Sequence, residues 1–361
     1  MQNGSQQIIP QLPALSLSAL KEHMERLDEP QFRAKQLLQW CNRGVLNPDE
    51  MGNIPASLRE KLKQSMVCEP LELVQRQCSI DGTRKYLFRL TSGRQTGKMV
   101  ETVFIPEEKR GTVCISSQIG CVLDCPFCYT GTQPFDGNLT TGEIIAQVLA
   151  VKSDLLADPA SDELHSSVTH IVYMGMGEPL ANEANVYESL SILMNPDGLK
   201  LSRRRITVST SGLVPQIDRL GETSPVNLAI SLHAAENSLR DELVPINRKH
   251  SLEALRACLD EYPLSNQRHI TLEYVMLAGV NDREEDLKSL YNFVNRERER
   301  VNLISFNAYP SSPYTGSSKE HMNEFAKRLI SKGIRATVRR SRGQDIMAAC
   351  GQLKAESKQA E

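Results

Sequence analysis

The sequence predicts an α/β fold in which a partial (β/α)6 barrel, similar to an incomplete TIM barrel, follows a small helical domain. From residue 112 onward, strand-like segments rich in β-branched residues alternate with helical segments, which is the pattern of a parallel sheet. Polar and glycine-rich sequences come directly after these strands, where parallel α/β proteins carry their sites. About six such units occur, fewer than the eight of a closed barrel.

The composition is that of an ordinary soluble chain. Of the 361 residues, 40% are hydrophobic and 24% are charged, and the formal net charge is -2. This length suits one large domain with a smaller one. No apolar run is long enough for a membrane span, and residues 1–11 lack the apolar core of a secretory signal. We therefore expect a cytoplasmic protein with no membrane partner. We also expect a monomer.

Residues 1–70 are predicted to form the helical accessory domain. Apolar residues recur at near-helical spacing, as Phe32, Leu37 and Trp40 do, and prolines separate the segments. Several cations would lie on the outside of these helices: Arg33, Lys35, Arg43, Arg59, Lys61 and Lys63. They form either a solvated surface or a face that docks RNA, and the sequence leaves both interpretations open.

Residues 71–110 change to strand character. The segments 71–74, 85–90 and 100–105 are rich in β-branched and aromatic residues, and Asp81-Gly82 and Ser92-Gly93 mark turns between them. We expect an antiparallel extension that leads into the barrel at residues 111–345. Residues 346–361 then form a C-terminal segment.

The barrel strands are predicted at 112–116, 168–174, 205–209, 226–232, 269–276 and 301–307, with a final strand at 334–339. The helical segments 141–152, 186–194, 284–296 and 320–332 lie between them. Because the carboxyl ends of parallel strands meet at one rim, residues that follow these strands are expected to share one site.

Chemically distinctive residues do follow the strands. A cysteine-rich loop follows the first strand, Gly175-Met176-Gly177-Glu178-Pro179 the second, and Ser209-Thr210-Ser211-Gly212 the third. The fourth strand ends at Ser231-Leu232-His233 and the sixth at Asn307. Alone, Glu178 could be a helix cap and His233 a satisfied core histidine, but five such strand ends together predict a site.

The cysteine-rich loop carries three thiols with the spacing C-x3-C-x2-C, at Cys121, Cys125 and Cys128, with Phe127 before the third. Thiolates suit zinc or iron-sulfur clusters. A structural zinc normally takes four ligands, so a zinc site completed by Cys114 remains one interpretation. Three ligands on a four-iron cluster instead leave one iron open to a small molecule. The total of nine cysteines does not suit a small disulfide scaffold.

Motifs along nearly the whole chain point to one family. They include Val100-Glu101-Thr102-Val103, Cys114-Ile-Ser-Ser-Gln-Ile-Gly-Cys121, Met174-Gly-Met-Gly-Glu-Pro179, Ser231-Leu-His-Ala234, Val244-Pro-Ile-Asn247 and the segment from Arg342 to Leu353. The chain resembles the RlmN/Cfr group of radical S-adenosylmethionine (SAM) RNA methyltransferases, and its RlmN branch more closely. That resemblance implies the same partial barrel with an N-terminal helical domain.

The resemblance also implies two cofactors. A 4Fe-4S cluster would be held by Cys121, Cys125 and Cys128, and SAM would be used twice per turnover. The residues implied to hold SAM are Gly177, Glu178, Ser209, Ser231, Leu232, His233 and Asn307. An electron donor for the cluster would be a partner.

The catalytic residues implied by the resemblance are Glu101, Cys114 and Cys350. Cys350 would carry a methyl group as S-methylcysteine, Cys114 would later form a transient disulfide with it, and Glu101 would accept a proton. The product would be 2-methyladenosine in 23S rRNA, at the peptidyl transferase centre, and in tRNA beside the anticodon. A thiol carrier suits adenine C2, because that electron-poor carbon is no nucleophile whereas a thiolate is.

Two alternatives stay open. One is a Cfr-like methyltransferase that acts on adenine C8, and the other is a non-catalytic RNA-binding protein stabilised by zinc. A basic run near the C-terminus, Lys332, Arg335, Arg339, Arg340 and Arg342, is either a solvated surface or a contact to RNA phosphates.

One segment departs from the pattern of the RlmN branch. After the cysteine loop its members commonly read Gly-Phe-x-Arg-Asn-Leu, whereas this chain reads Pro134-Phe135-Asp136-Gly137-Asn138-Leu139. Glycine therefore stands where the relatives carry arginine, and the aspartate adds a negative charge. Because the segment lies near the cysteine loop, the departure bears on the choice of RNA more than on the chemistry.

Overall fold

The computed structural model describes residues 9–158, 167–265 and 268–355, and three helices come first in the chain. They are α1 (Leu17–Arg26), α2 (Phe32–Asn42) and α3 (Ala56–Ser65). Helix α1 begins at a cap in which the Ser16 hydroxyl accepts a hydrogen bond from the amide of Ala19. Leu20, Leu37 and Leu58, one from each helix, are fully buried. The predicted helical region at the N-terminus is therefore present.

Four antiparallel strands follow the helices. They are β1 (Leu71–Cys78), β2 (Arg84–Leu90), β3 (Met99–Glu107) and β4 (Arg110–Cys114). Strand β4 ends two residues before the predicted end of the first barrel strand. The reason is that the side chain of Gln147 bonds both the amide and the carbonyl of Ser116, which takes that residue out of the ladder.

The barrel consists of alternating helices and strands. Two short strands, β5 (Gln118–Ile119) and β6 (Gly137–Asn138), first pair at the base of the cysteine loop. The remaining elements are α4 (Thr141–Ala157), β7 (His170–Tyr173), α5 (Glu183–Met194), β8 (Ile206–Thr210), α6 (Val214–Thr223), β9 (Asn227–Ser231), α7 (Asn237–Leu243), α8 (Leu252–Glu261), β10 (Ile270–Met276), α9 (Glu284–Phe293), β11 (Glu299–Ser305), α10 (Lys319–Ser331) and β12 (Arg335–Arg339).

One ten-stranded sheet joins the extension to the barrel, in the order β1-β2-β3-β4-β7-β8-β9-β10-β11-β12. Strand β4 pairs antiparallel with β3 and parallel with β7, and every later pair is parallel. Strands β4 and β7 to β11 are the six predicted parallel strands, so the partial barrel is confirmed. Strand β12 adds a seventh parallel strand at the edge.

The register of these pairs brings the site residues to one face of the sheet. Ser231 of β9 lies opposite Glu273 of β10, and Ile304 of β11 lies opposite Arg339 of β12. Directly opposed residues point to the same side of a sheet, and alternate residues of one strand share that side. The concave face of the barrel is therefore polar near the carboxyl ends of its strands.

Helix α4 anchors the barrel to the N-terminal helices. It begins at a capping box, in which the Thr140 hydroxyl accepts from the amide of Glu143 while the Glu143 carboxylate accepts from the amide of Thr140. Most of its length is buried, including Ile144 and Val148. None of the helices within the described ranges is long and apolar enough to cross a membrane.

We predict that Gly44→Ala destabilises the protein through this anchor. Gly44 has φ of +89°, and an added Cβ would lie 2.7 Å from the carbonyl oxygen of Leu149 in α4. The strained backbone alone should cost about 1–3 kcal/mol in free energy of unfolding, measured with urea. Gly52→Ala is the control, because nothing lies within 4 Å of its added Cβ. If both variants lost the same free energy of unfolding, the contact between Gly44 and α4 would not stabilise the protein in this way.

Candidate active site

A large cavity opens at the carboxyl ends of the parallel strands. It encloses about 1060 Å³ of empty space when its open mouth is included, enough for a small-molecule ligand. Its lining comes from the cysteine loop, several strand ends and the C-terminal segment. Of the predicted site residues, the structure brings together here Cys121, Cys125, Cys128, Gly177, Glu178, Ser209, Ser231, His233 and Cys350.

The cysteine loop is tied to the loop after β7 by Gln118. The side-chain oxygen of Gln118 accepts hydrogen bonds from the amides of Val122 (3.3 Å) and Glu178 (3.0 Å), and its amide nitrogen donates to Asn138 (2.8 Å). Gly177 packs against this side chain with φ of +97°, and a Cβ there would lie 2.5 Å from the Cβ of Gln118. Only glycine lets the two loops approach this closely.

The three thiols of the cysteine loop lie in a low-dielectric environment. Burial raises the pKa of Cys121 to about 12, and it raises the pKa values of Cys125 and Cys128 as well. These groups therefore stay protonated unless a cationic centre stabilises the thiolates. Within the described ranges, no three His, Cys, Asp or Glu side chains are arranged to hold one metal ion.

A buried guanidinium lies behind the strand ends. Arg240 of α7 is fully buried and donates to the carbonyl oxygens of Leu232 (3.1 Å) and Ser211 (2.7 Å) and to the side chain of Asn247 (2.8 Å). Burial lowers the pKa of Arg240 to about 10, and the nearby Cys125 and Asp241 oppose this effect. The cation lies within the electrostatic reach of a loop cysteine.

Glu178 presents a carboxylate to the cavity. One oxygen accepts from the amide of Leu180 (3.1 Å) and the other from the amide of Ser211 (2.8 Å). Burial raises the pKa of Glu178, and these hydrogen bonds oppose the rise. Each carboxylate oxygen has two lone pairs, so acceptor sites remain for a cationic ligand group.

His233 is held as a neutral imidazole. Its Nδ1 accepts from the amide of Val275 (3.0 Å), which assigns the ring proton to Nε2. Burial, with a smaller contribution from Arg240, lowers the pKa of His233 to about 3. The ring packs edge-to-face on Phe127 of the cysteine loop, with 4.6 Å between the ring centroids. His233 therefore offers one N–H donor and no charge.

The C-terminal strap, defined here as residues 340–355, lies against the cysteine loop. The amide of Tyr129 donates to the carbonyl of Gly351 (2.7 Å), and the hydroxyl of Thr130 donates to the carbonyl of Leu353 (2.6 Å). Asn307 donates from its side chain to the carbonyl of Cys350 (3.1 Å). These contacts place Cys350 at the wall of the cavity.

Cys114 and Glu101 lie behind that wall and do not line the cavity. Burial raises the pKa of Cys114 to about 12, with a contribution from Cys350, while Arg339 opposes the rise. The Glu101 carboxylate forms an ion pair with Lys85 (3.0 Å), and it accepts from the backbone amide of Lys354 in the strap (2.9 Å). The three predicted catalytic residues are thus connected through the strap.

Two predicted SAM contacts occupy other positions. The side chain of Leu232 is fully buried in the core, and its backbone carbonyl and amide bond Arg240 and the carbonyl of Glu273. Both ends of the Asn307 amide are engaged within the protein, because its oxygen also accepts from Gln344 (2.8 Å). Neither side chain lines the cavity.

Three residues of this region were not singled out by the sequence analysis as site residues: Arg240, Glu273 and Arg339. Glu273 and Arg339 line the cavity on neighbouring parts of the concave face. Arg339 had been grouped with the basic run, but it is half-buried and lines the cavity, whereas the other four cations are exposed. A strand register would have separated Arg339 from its neighbours in sequence, because successive residues of a strand face opposite sides.

Most cations of the helical region have partners within the protein. Arg59 donates to the carbonyls of Ile54 and Met51, and Lys61 pairs with Glu29. Lys63 pairs with two carboxylates and Arg33 donates to the carbonyl of Asn53, whereas Lys35 and Arg43 are exposed.

The departing segment after the cysteine loop has a structural partner. Gly137 lies against Gln95, whose side-chain nitrogen would be 1.7 Å from an added Cβ, so an arginine at this position would displace the Gln95 side chain. Asp136 pairs with Lys98 (2.5 Å) across the same contact. The turn between β2 and β3 therefore contacts the departing segment at both of these residues.

A partial parallel barrel with a three-cysteine loop at its rim defines the radical SAM class of enzymes. The model of the Radical SAM superfamily matches residues 115–291, and the model of the ribosomal RNA large subunit methyltransferase N-terminal domain matches residues 11–68.

Similar proteins narrow this class. The chain is 46% identical to the dual-specificity RNA methyltransferase RlmN of Magnetococcus marinus, over 95% of each chain. It is 48% identical to RlmN of Zymomonas mobilis, over 91% of this chain and 84% of that protein. A crystal structure of a radical SAM methyltransferase from Sphaerobacter thermophilus is 40% identical, with a TM-score of 0.89, over 96% of this chain and 100% of that one. The chain belongs to the RlmN family of radical SAM RNA methyltransferases.

The residues present fit the two cofactors of this class. Three thiols, with the buried Arg240 cation within electrostatic reach of Cys125, suit an anionic iron-sulfur cluster, because the cation would offset the negative charge of the cluster. The Glu178 carboxylate suits the amino group of SAM, and serine hydroxyls and the His233 N–H suit its polar atoms. Membership of the family rules out the alternative that the chain is a non-catalytic RNA-binding protein stabilised by zinc.

We predict that His233 makes stability depend on pH. Its pKa is about 3 when folded and about 6.5 when unfolded, so the unfolded chain binds the extra proton between these values. The contribution of the neutral His233 to the free energy of unfolding is therefore complete above about pH 6.5. It is lost as the pH falls toward 3, by about 1.4 kcal/mol per pH unit. When the pH falls from 7 to 5.5, the free energy of unfolding should drop by about 1 kcal/mol less in His233→Asn than in the wild type. Identical pH dependences would contradict the assignment.

Proposed function

We propose that the protein methylates adenine C2 in 23S rRNA, at the peptidyl transferase centre, and in tRNA beside the anticodon. The name of the relatives, dual-specificity RNA methyltransferase, supports two RNA substrates. The observation that carries the proposal is the position of Cys350, whose strap lies on the cysteine loop and lines the same cavity as the three loop thiols. A methyl carrier needs this position.

The cofactors would be held by the cavity residues. Cys121, Cys125 and Cys128 would bind the 4Fe-4S cluster, and Glu178 would accept a hydrogen bond from the SAM amino group. When bound, the cluster would supply an electron for SAM cleavage, and two SAM molecules per turnover would supply the methyl group and the radical that activates it. Gly177, Ser209, Ser231 and His233 would orient SAM.

Cys350 would first act as a nucleophile toward the SAM methyl group. Its thiol proton leaves, and its sulfur gains a carbon that can be passed to the base. A base enters such a buried site only after it leaves its stack, so we expect the RNA to present the adenine from a loop or bulge. The small neighbours Ala349 and Gly351 leave room for that approach.

Glu101 would accept the proton that C2 loses once the new carbon bond has formed. The Lys85 ammonium, 3.0 Å away, stabilises the carboxylate form that this task needs. Cys114 would then attack the sulfur of Cys350, which breaks the carbon-sulfur bond, forms a disulfide and releases the methylated base. Reduction of that disulfide restores both thiols, and it requires a reductant besides the electron donor of the cluster.

The helical N-terminal region would dock the RNA, with the protein acting as a monomer in the cytoplasm. Its family model is named after a ribosomal RNA methyltransferase domain, which supports this role. Lys35 and Arg43 are exposed cations there, and Arg43 stacks over the ring of Trp40. Such a pair can contact both a phosphate and a base.

We predict that Cys125→Ala removes the iron-sulfur cluster. The wild-type protein, purified without oxygen, should contain about four irons per chain, whereas two remaining thiolates should not retain them. Cys258→Ala is the control, because Cys258 is also buried but lies in α8, outside the cavity lining. Iron and sulfide assays give the measurement, and a normal iron content in Cys125→Ala would refute the ligand assignment.

We predict opposite phenotypes for the two catalytic cysteines. Cys350→Ala lacks the carrier and should form neither product nor adduct. Cys114→Ala keeps the carrier but cannot release the base, so it should accumulate RNA joined covalently to Cys350. Denaturing gels, nuclease digestion and mass spectrometry detect that species. If both cysteines only stabilise the fold, both variants lose stability alike and neither traps RNA.

A further inference from the structure

The amino-terminal ends of the parallel strands, opposite the cavity, carry a ring of cations. Six of the seven parallel strands contribute one, either within the strand or immediately before it. We call these residues the basic ring: Arg110, His170, Arg205, His269, Arg300 and Arg335. The seventh strand, β9, contributes the neutral Asn227. The four arginines are exposed and the two histidines are half-buried.

The strand register places the basic ring on the concave face. Arg300 of β11 lies directly opposite Arg335 of β12 and opposite Thr271 of β10. Alternate residues of a strand share one side, so Arg335 faces the same way as Arg339, which lines the cavity. The same spacing relates Arg110 to Cys114. The ring cations therefore converge on the lower mouth of the barrel.

Few carboxylates neutralise the basic ring. Among the described residues its one ion pair joins Arg110 to Glu107 at 3.7 Å, and both side chains are nearly half exposed. Arg110 and Arg300 otherwise donate to threonine hydroxyls, and Arg335 donates to the carbonyl of Arg296. The buried Glu273 also lies within electrostatic reach of Arg300, so these two carboxylates face four arginines and the ring keeps a net positive charge.

The histidines report the same imbalance. Burial, then Arg110 and Arg205, lower the pKa of His170 to about 4. Burial, then Arg335 and Arg300, lower the pKa of His269. In each case the charged neighbours are cations that repel a further positive charge.

The basic ring is not explained by cations that stabilise the carboxyl ends of helices. Cations at the carboxyl ends of helices stabilise the exposed carbonyls, as Arg298 does by donating to the carbonyl of Tyr262 after α8. The ring residues project instead from the sheet into the mouth of the barrel. Among the described residues, the ring side chains bond mainly to threonine hydroxyls, and of these side chains only Arg335 donates to a carbonyl.

We propose that the basic ring binds a phosphate-bearing anion at the end of the barrel opposite the active site. Guanidinium groups match phosphate oxygens with paired hydrogen bonds, and a concave surface of one charge sign concentrates counter-ions. The ligand is either a backbone phosphate of a bound RNA or a small phosphate compound. The ring shares no residue with the cavity, so this inference does not depend on the proposed reaction.

The first experiment measures pyrophosphate binding by calorimetry at constant ionic strength. Arg300→Gln with Arg335→Gln removes two ring charges, and Lys319→Gln with Lys327→Gln removes two exposed charges from α10 as the control. We expect pyrophosphate to bind the wild-type and control proteins alike and to raise their melting temperatures. The ring variant should bind at least tenfold more weakly.

A second measurement identifies the source of the phosphate. If RNA supplies it, the ring variant should show a smaller salt dependence of tRNA binding, by about 1–2 in the logarithmic slope, and pyrophosphate should compete with tRNA. If a small compound supplies it, tRNA binding stays unchanged while pyrophosphate binding is lost. Either result supports the site. Unchanged binding of both ligands in the ring variant overturns it.

The stability of the variant separates binding from a structural role. Removing mutually repelling charges should leave the melting temperature of the ligand-free ring variant equal to or above that of the wild type. If the ring variant melts clearly lower without ligand, the ring supports the fold and the proposal fails.

Discussion

The site depends on one buried cation. Where parallel strands end, their last carbonyl groups lose the ladder that satisfied them, and burial without a partner costs about 1–3 kcal/mol each. Arg240 supplies donors to three such carbonyls, those of Ser211, Ser231 and Leu232. Because the amide of Ser211 in turn bonds Glu178, the guanidinium fixes the carboxylate as well. Without Arg240, the ends of strands β8 and β9 would lose these hydrogen bonds together.

The same barrel separates charge along its axis. Thiols, Glu178 and Glu273 gather at the carboxyl end, where an anionic cluster and a zwitterionic cofactor would bind. Guanidinium groups gather at the other end, around Arg300 and Arg335. A parallel sheet allows this arrangement because each strand delivers its first and last residues to opposite rims. A molecule with nearly zero net charge can therefore still present two strongly different surfaces.

Sequence reasoning predicted the parts of the structure that local patterns determine. The alternation of strand and helix, and polar residues such as Glu178 after strands, follow from hydrophobic periodicity and from the geometry of parallel sheets. It could not predict Arg240, because a charged residue on a helix is normally exposed. It misplaced Arg339 because the direction of a side chain depends on strand register. The sequence showed the motif of the strap but not its contact with the cysteine loop, because Thr130 and Leu353 are 223 residues apart in the chain.

The strap also orders events during synthesis of the chain. Tyr129 and Thr130, which receive it, leave the ribosome more than two hundred residues before Gly351 and Leu353 do. At about 5–20 residues per second, the loop waits for roughly ten seconds or longer without its cover. During that interval the three cysteines lack the cover that the strap provides. Arrival of the strap then covers the loop, so the order of residues along the chain also sets the order in which the walls of the cavity are completed.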